Sequence, residues 1–200
     1  MREVLGFSAR EVGESLETSV PSVNSALQRA RKTVDERLPE QSQQATLRSL
    51  GDERMREIVD AYMEAMQRGD VKAVVGMLAE DAAWSMPPAA SWYRGLDDLE
   101  VFLAMGPLSG EWRWRRRPAH ANGQPAVAAY TWVDEEGAYL PFALDVLTLE
   151  GERIKEVTAF IARTTRLPDR ESFARWPDQP VEPSRVVAFF ERFGLPARLD

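Results

Sequence analysis

AVAAYTWVDEEGAYLPFALDVLTLEGERIKEVTAFIA, residues 126–162, decides how most of this chain folds. Three runs dominated by aliphatic and aromatic residues, 126–133, 139–149 and 154–162, are separated by the polar, glycine-containing breaks DEEG and EGER. Residues that suit a half-buried pleated surface, interrupted at short intervals by turn formers, predict strands joined by hairpins. A fourth strand-like run, EWRWRRR at 111–117, in which Trp alternates with Arg, lies upstream. The pattern predicts a curved antiparallel meander of four strands.

Outward from this stretch the period changes. GLDDLEVFLAMG, residues 95–106, reads as a helix between two glycines, and AAWSMP, residues 82–87, as a short extended piece. Ile58, Val59, Tyr62, Met63 and Met66 recur at helical spacing, with Gly69 where the helix would stop and Asp70 opening a second helix over 71–81. Helices first and antiparallel strands afterwards define an α+β unit, not a βαβ one. Downstream, residues 167–200 hold five prolines and a last helix whose Val186, Val187, Phe189, Phe190 and Phe193 are too apolar for water. That helix is expected to dock on the sheet or on a partner.

The front of the chain has another character. Val4, Leu5 and Phe7 resemble the end of an apolar helix. Ser8 with Glu11 three residues on has the form of a capping box, and Val12 and Leu16 continue an apolar stripe. After a break at 17–19, Val20, Val23, Leu27 and Ala30 again keep helical spacing. The pattern is helix, tight turn, helix. PEQSQQATLRSLGDE, residues 39–53, is polar and poor in apolar anchors, and reads as a connector or a loosely held helix. The expected organisation is 1–38, a connector at 39–54, 55–166, and a tail at 167–200.

Composition narrows the function. With 25 Lys and Arg against 32 Asp and Glu, the formal charge of −7 argues against a chain that coats nucleic acid along its whole surface. The absence of cysteine removes disulfide and thiolate chemistry, and one His makes a histidine-built metal centre a poor fit, so neither metal nor cofactor is expected. The first residues carry scattered charges and no long apolar run, which makes a cytoplasmic protein the default and a membrane partner unexpected. Any contact with DNA must be local. The second front helix offers one: Ser22, Asn24, Ser25 and Gln28 suit base edges, and Arg29, Arg31 and Lys32 suit phosphates. Periodicity alone allows equally a pair of surface helices with a solvated charged end.

GFSAREVGESLETSVPSVNSALQRARKTVDERL, residues 6–38, resembles region 4 of sigma-70 type factors of the extracytoplasmic-function group. The resemblance is carried by Gly6, Ser8, Glu11, Val12 and Gly13, then by Thr18, Ser19, Val20, Ser22, Val23, Ser25, Leu27, Arg29, Ala30 and Arg31. It implies that the second helix reads the −35 promoter element: Ser22, Asn24 and Ser25 toward bases, Arg29, Arg31 and Lys32 toward phosphates, with Val20, Val23 and Leu27 as core. RGDVKAVVGMLAEDAAWSMPP, WYRGLDDLEVFL and LTLEGERIKEVTAFI resemble the SnoaL-like domain appended to some of these factors, over residues 55–162. The implied fold is a partial all-α helix-turn-helix followed by an α+β cone. The implied partners are promoter DNA and the RNA polymerase core, with sigma region 2 and the first helices of region 4 expected outside this sequence.

Cones of this kind are shared with polyketide cyclases and ketosteroid isomerases, so an isomerase or cyclase-type enzyme, or a small-molecule-binding domain, is the alternative. An enzyme of that type needs a carboxylate on an inner wall with a raised pKa. Asp145, in the apolar PFALDVLTL, is the one candidate base; it can equally face solvent or pair with an Arg. Trp84, Tyr130 and Trp132, with Asp145, are the expected ligand-pocket residues. Trp92, Tyr93, Trp112 and Trp114 complete an aromatic set that can line a pocket or simply fill the cone. His120, next to Asn-Gly, reads as a turn residue. In residues 112–117, alternation puts Arg113, Arg115 and Arg117 opposite Trp112, Trp114 and Arg116. On balance the sequence predicts a regulatory domain without catalysis.

Overall fold

A computed structural model describes residues 6–37, 42–89, 91–162 and 183–200. They form two compact units, Met1–Ser42 and Gln43–Asp200. Val4, Leu5, residues 38–41 and the proline-rich 167–182 lie outside the described residues.

The first unit is a helix pair. α1, Ala9–Ser15, starts with a complete capping box: Ser8 Oγ accepts from the Glu11 N–H at 3.2 Å and Glu11 Oε2 accepts from the Ser8 N–H at 2.7 Å. The chain then reverses tightly, with the Thr18 N–H donating to the Gly13 carbonyl at 2.8 Å. This reversal demands glycine at 13, where a Cβ would stand 2.9 Å from the Thr18 oxygen. α2, Val20–Arg37, begins where Ser19 Oγ accepts from the Ser22 N–H at 3.2 Å. Val12 and Val23 are the buried apolar contacts between them, and Leu27 is half-buried. Val20, expected as core, is exposed: it lies on the same stripe as Val23 and Leu27 but in the first residue of α2, at the end of the helix pair.

The second unit begins earlier than expected. α3, Gln43–Arg68, incorporates most of the segment read as a connector and bends at Gly51, whose φ of 75° no helix holds. Its first leg has few apolar residues, but they suffice: Thr46 is buried, Leu47 and Leu50 pack on the core, and the Gln43 side chain accepts from the Leu149 N–H at 3.2 Å. α4, Val71–Met77, is capped by Asp70, and is shorter than predicted because Leu78 already starts a strand. The sheet consists of β1 Leu78–Ser85, β2 Trp92–Arg94, β3 Trp114–Ala121, β4 Gln124–Val133, β5 Ala138–Glu150 and β6 Arg153–Ile161. α5, Leu96–Met105, lies between β2 and β3, and α6, Pro183–Glu191, follows β6.

Strand order is β2-β1-β6-β5-β4-β3. The expected antiparallel meander occupies β3 to β6, and β1 joins it in parallel on β6. His120 is not in a turn; it pairs with Pro125 inside β3, Ala121 pairs with Gln124, and the turn is Asn122–Gly123. Asn122 and Gly123 there have φ of 52° and 71°, the two positive values a two-residue hairpin of this twist requires.

Alternation divides the sheet into two cores. Toward one face, α3, α4 and α5 cover Val127, Ala129, Ala143, Leu147, Leu149, Val157 and Ala159. Toward the other, α6 brings Val186 and Phe190, and the segment after it Leu195, onto Ala126, Ala128, Tyr130, Leu144 and Val146. Burying Phe190 and Val186 in this way stabilises the unit by about 1.5–3 kcal/mol each. A bridge between Tyr139 and Leu199 secures the last residues to β5.

Candidate functional site

On α2 the apolar stripe runs through Val23, Leu27, Ala30 and Val34. At about 100° per residue, Ser22, Ser25, Gln28, Arg29 and Lys32 fall on the opposite half of the cylinder, and Asn24 and Arg31 flank the stripe on one side. All seven are exposed. The Ser22 hydroxyl also shares a 2.9 Å hydrogen bond with Ser19 at the helix start, and Lys32 lies 3.7 Å from Glu36 in an exposed pair. An exposed pair of that kind contributes little and yields readily to a stronger anion.

The second unit holds a cavity of about 610 Å³ on the concave side of the sheet. Its floor is a patch of methyl groups, Ala129 on β4, Ala143 on β5 and Ala159 on β6. Where a filled core would carry Leu or Val, these alanines leave space. Between Ala129 and Tyr130 the β4–β5 register slips by one residue, so that Tyr130 faces Pro141 while Ala129 faces Ala143. The extra residue is Phe142, and the bulge lets Phe142 and Ala143 both line the cavity. Trp84, Tyr93, Phe102, Trp112 and Trp114 build the walls. Trp112 and Trp114 stack at 5.2 Å with Phe142 edge-on to both, and Tyr93 stacks on Phe102 at 4.3 Å. The Trp114 indole N–H donates to the Pro107 carbonyl at 2.7 Å, which fixes that ring.

Three charged groups interrupt this apolar lining: Asp98 on α5 is exposed, and the other two are buried. Arg116 on β3 and Asp145 on β5 are 8% and 3% exposed, and Arg116 Nη1 lies 3.3 Å from Asp145 Oδ2. The Tyr62 hydroxyl, on α3, donates to the same oxygen at 3.0 Å. Burial pushes the Asp145 carboxyl above the usual range, and the Arg116 charge and the Tyr62 hydrogen bond pull it partly back. Burial, with the Asp145 charge beside it, drives the Tyr62 phenol well above its ordinary value. The Arg116 guanidinium also sits over Trp114, 5.4 Å from the ring centre. Its buried Nε–H has no hydrogen-bond partner among the described residues.

Of the four pocket residues read from sequence, Trp84 and Asp145 line the cavity and Tyr130 and Trp132 do not. Alternation sends Tyr130 to the far face, where it packs edge-on against Phe190 and donates to the Pro196 carbonyl at 2.9 Å. Burial raises its phenol to about 12. Trp132 lies under the Arg113 guanidinium and donates to Asp134 at 2.7 Å. Trp92 is exposed. The residues that sequence reading passed over are Arg116, Tyr62 and the alanine floor. Arg116 had a visible signal, since a charge in phase with Trp112 and Trp114 must turn inward with them; Tyr62 looked like any member of a helical stripe.

Residues 1–34 match the family described as sigma-70, region 4, and residues 59–157 match the SnoaL-like domain. The ECF RNA polymerase sigma factor SigG of Mycobacterium tuberculosis (strain ATCC 25618 / H37Rv) is 30% identical over 165 residues, 82% of this chain and 44% of that protein. The chain thus spans less than half the length of the curated relatives it matches. Among solved structures, a putative ketosteroid isomerase from Kribbella flavida DSM 17836 aligns with a TM-score of 0.48 at 20% identity, covering 59% of this chain and 84% of that one. An NTF-2 like protein of unknown function from Burkholderia xenovorans LB400 aligns at 0.47 and 17%, covering 65% and 98%. The chain thus matches sigma-70 region 4 at its front and a SnoaL-like domain behind it. Its sequence relatives lie among the extracytoplasmic-function sigma factors.

Proposed function

We propose that this chain is the C-terminal part of an extracytoplasmic-function sigma factor, in which α2 reads the −35 promoter element and the SnoaL-like domain regulates without catalysing a reaction. Its partners are then promoter DNA and the RNA polymerase core, in the cytoplasm, with a sigma region 2 supplied by the rest of the full-length protein. The observation that carries the reading is the polar surface of α2, where Ser22, Asn24, Ser25, Gln28, Arg29, Arg31 and Lys32 are all exposed. Small polar side chains at the start and cations further along match a helix that inserts its first turns into the major groove.

The test joins this chain behind a sigma region 2 and measures binding to −35 duplexes at several salt concentrations. Replacing Arg29 and Arg31 by Ala should weaken binding on every sequence and reduce the salt slope by about one phosphate unit each. Binding that ignores both arginines would defeat the proposal.

An isomerase-type enzyme is the second reading, favoured by one fact: Asp145 lines the cavity and its carboxyl is raised by burial. Against it, Oδ2 is already held by both Tyr62 and Arg116, so that oxygen is engaged as a counter-ion. Enolisation of a small ketone, lost in Asp145→Asn, would establish the enzyme.

A further inference from the structure

We propose that the free edge of the sheet, at β3, is a second site for the phosphate backbone of DNA, held by Arg115 and Arg117 with Arg113 beside them. The inference concerns the second unit and does not depend on which sequence α2 reads. In a chain of formal charge −7, residues 112–133 hold four arginines and no carboxylate. No other stretch runs so far without one, and the next longest, 18–34, carries the polar surface of α2. Carboxylates are thus withheld from two places, and the larger gap lies on β3 and β4. A polyanion that approaches an acidic protein meets repulsion except at such gaps.

Geometry selects which arginines are available. β3 ends the strand order, so one of its sides pairs with no other strand. Arg116 turns inward and is neutralised by Asp145. Arg115 and Arg117 stand opposite Tyr130 and Ala128 of β4, which belong to the core under α6, and so point to that same face, where both are exposed. Among the described residues neither forms an ion pair, whereas Arg113 meets Asp134 at 2.6 Å in an exposed contact that yields to a stronger anion. The Arg115 guanidinium lies 5.3 Å from the Tyr139 ring centre and that of Arg113 4.7 Å from Trp132, which restricts both heads before any partner arrives. Side chains two apart on a strand start about 7 Å from each other. Successive phosphates along one DNA strand have a comparable separation, and a planar guanidinium can hold each through two N–H groups. A further β-strand is a poor occupant, because Pro118 offers no N–H and the arginines blunt this edge. A second copy would set like charge against like.

Fluorescence anisotropy of the full chain with a labelled duplex of scrambled sequence, over a series of low salt concentrations, tests this. A scrambled duplex takes sequence reading by α2 out of the comparison, so the fate of the −35 assignment does not decide the result. Arg115→Gln with Arg117→Gln should weaken binding about ten-fold or more at the lowest salt and make log K against log salt shallower by about two units. Arg115→Lys with Arg117→Lys, which keeps the charge, should retain most of that slope. Arg94→Gln, an exposed arginine on β2 at the opposite edge, should leave the slope unchanged. Both β3 positions are exposed, so the variants should keep the parental thermal transition; should the Gln pair fail to fold, each single variant should lower the slope by about one unit. An unchanged slope in the folded Gln variants overturns the proposal, as does an equal loss in Arg94→Gln, which would mean that net charge alone is felt. Poly-glutamate that competes as well as the duplex at equal charge overturns it too, since the edge would then suit an acidic protein. No binding of the duplex by the unaltered chain at the lowest salt has the same force.

Discussion

Arg116 and Asp145 stand on strands that are not neighbours, β3 and β5, yet their side chains meet at 3.3 Å. The strand between them offers only Ala129 opposite Arg116, so nothing bulky on β4 separates the two groups at that level. The pair is desolvated, and its two members depend on each other. Arg116→Met should destabilise the second unit by about 3–5 kcal/mol, because it leaves Asp145 buried without its counter-charge. Removing both charges, with Arg116→Met and Asp145→Leu, should restore most of that loss. Denaturant unfolding measures both; a single variant as stable as the parent would show that the pair carries no such burden.

Asp145 also sets a pH dependence. Its folded-state pKa is raised, so between the unfolded value and the folded one the native state holds a proton that the unfolded chain has released. Stability contributed by this group is therefore present at lower pH and lost as pH rises through the folded pKa. Asp81, Asp134 and Glu152 are shifted downward by Lys155, by Trp132 and Arg113, and by Arg54, and these favour the opposite trend. The informative quantity is the stability of the parent minus that of Asp145→Asn. It should decline from about pH 4 upward, and a flat or rising difference would contradict the assignment.

Gly13→Ala should be costly in the first unit. The new methyl would meet the Thr18 carbonyl at 2.9 Å, and that residue is bonded back to Gly13 through its own N–H. Relief requires opening the turn. A loss of about 1–3 kcal/mol is expected, read as faster hydrogen exchange of the α1 and α2 amides while the β4 and β5 amides stay protected.

For DNA recognition, the two kinds of residue on α2 should separate cleanly. Asn24→Ala or Ser25→Ala should cost about 1–3 kcal/mol on the preferred −35 sequence and little on others, with the salt slope unchanged. Lys32→Ala should do the reverse, weakening all sequences alike. Competition titrations on matched and scrambled duplexes distinguish them.

How much of this was legible depended on the distance over which each feature is decided. The helix pair and its caps are local, written in Ser8 with Glu11 and in Ser19 ahead of α2, and both can be read from the chain. The hairpin strands follow from their own composition. The first leg of α3 could be read only as a connector or a loosely held helix because its few anchors, Thr46, Leu47 and Leu50, are held by the body of the second unit rather than by a strong period of their own. Tyr130 and Trp132 were placed in the cavity because parity was counted without fixing which parity faces the helices; Tyr130 belongs to the set that meets α6. The union of Tyr62, Arg116 and Asp145 joins α3, β3 and β5, and no periodicity within one segment reports a meeting of three.

The parallel pairing of β1 with β6 has a consequence for how the chain is made. β1 leaves the ribosome early, but its partner on that side is the last strand of the sheet, with α5 and four strands, β2 to β5, made in between. At about 5–20 residues per second, synthesis leaves β1 and β2 waiting for several seconds with one edge open. Their hydrogen-bonding groups and the Trp84 side chain are meanwhile exposed to other nascent chains. This unit must therefore close after synthesis of β6 rather than grow strand by strand, and its refolding should be slow for its size, as a fold dominated by distant pairings is.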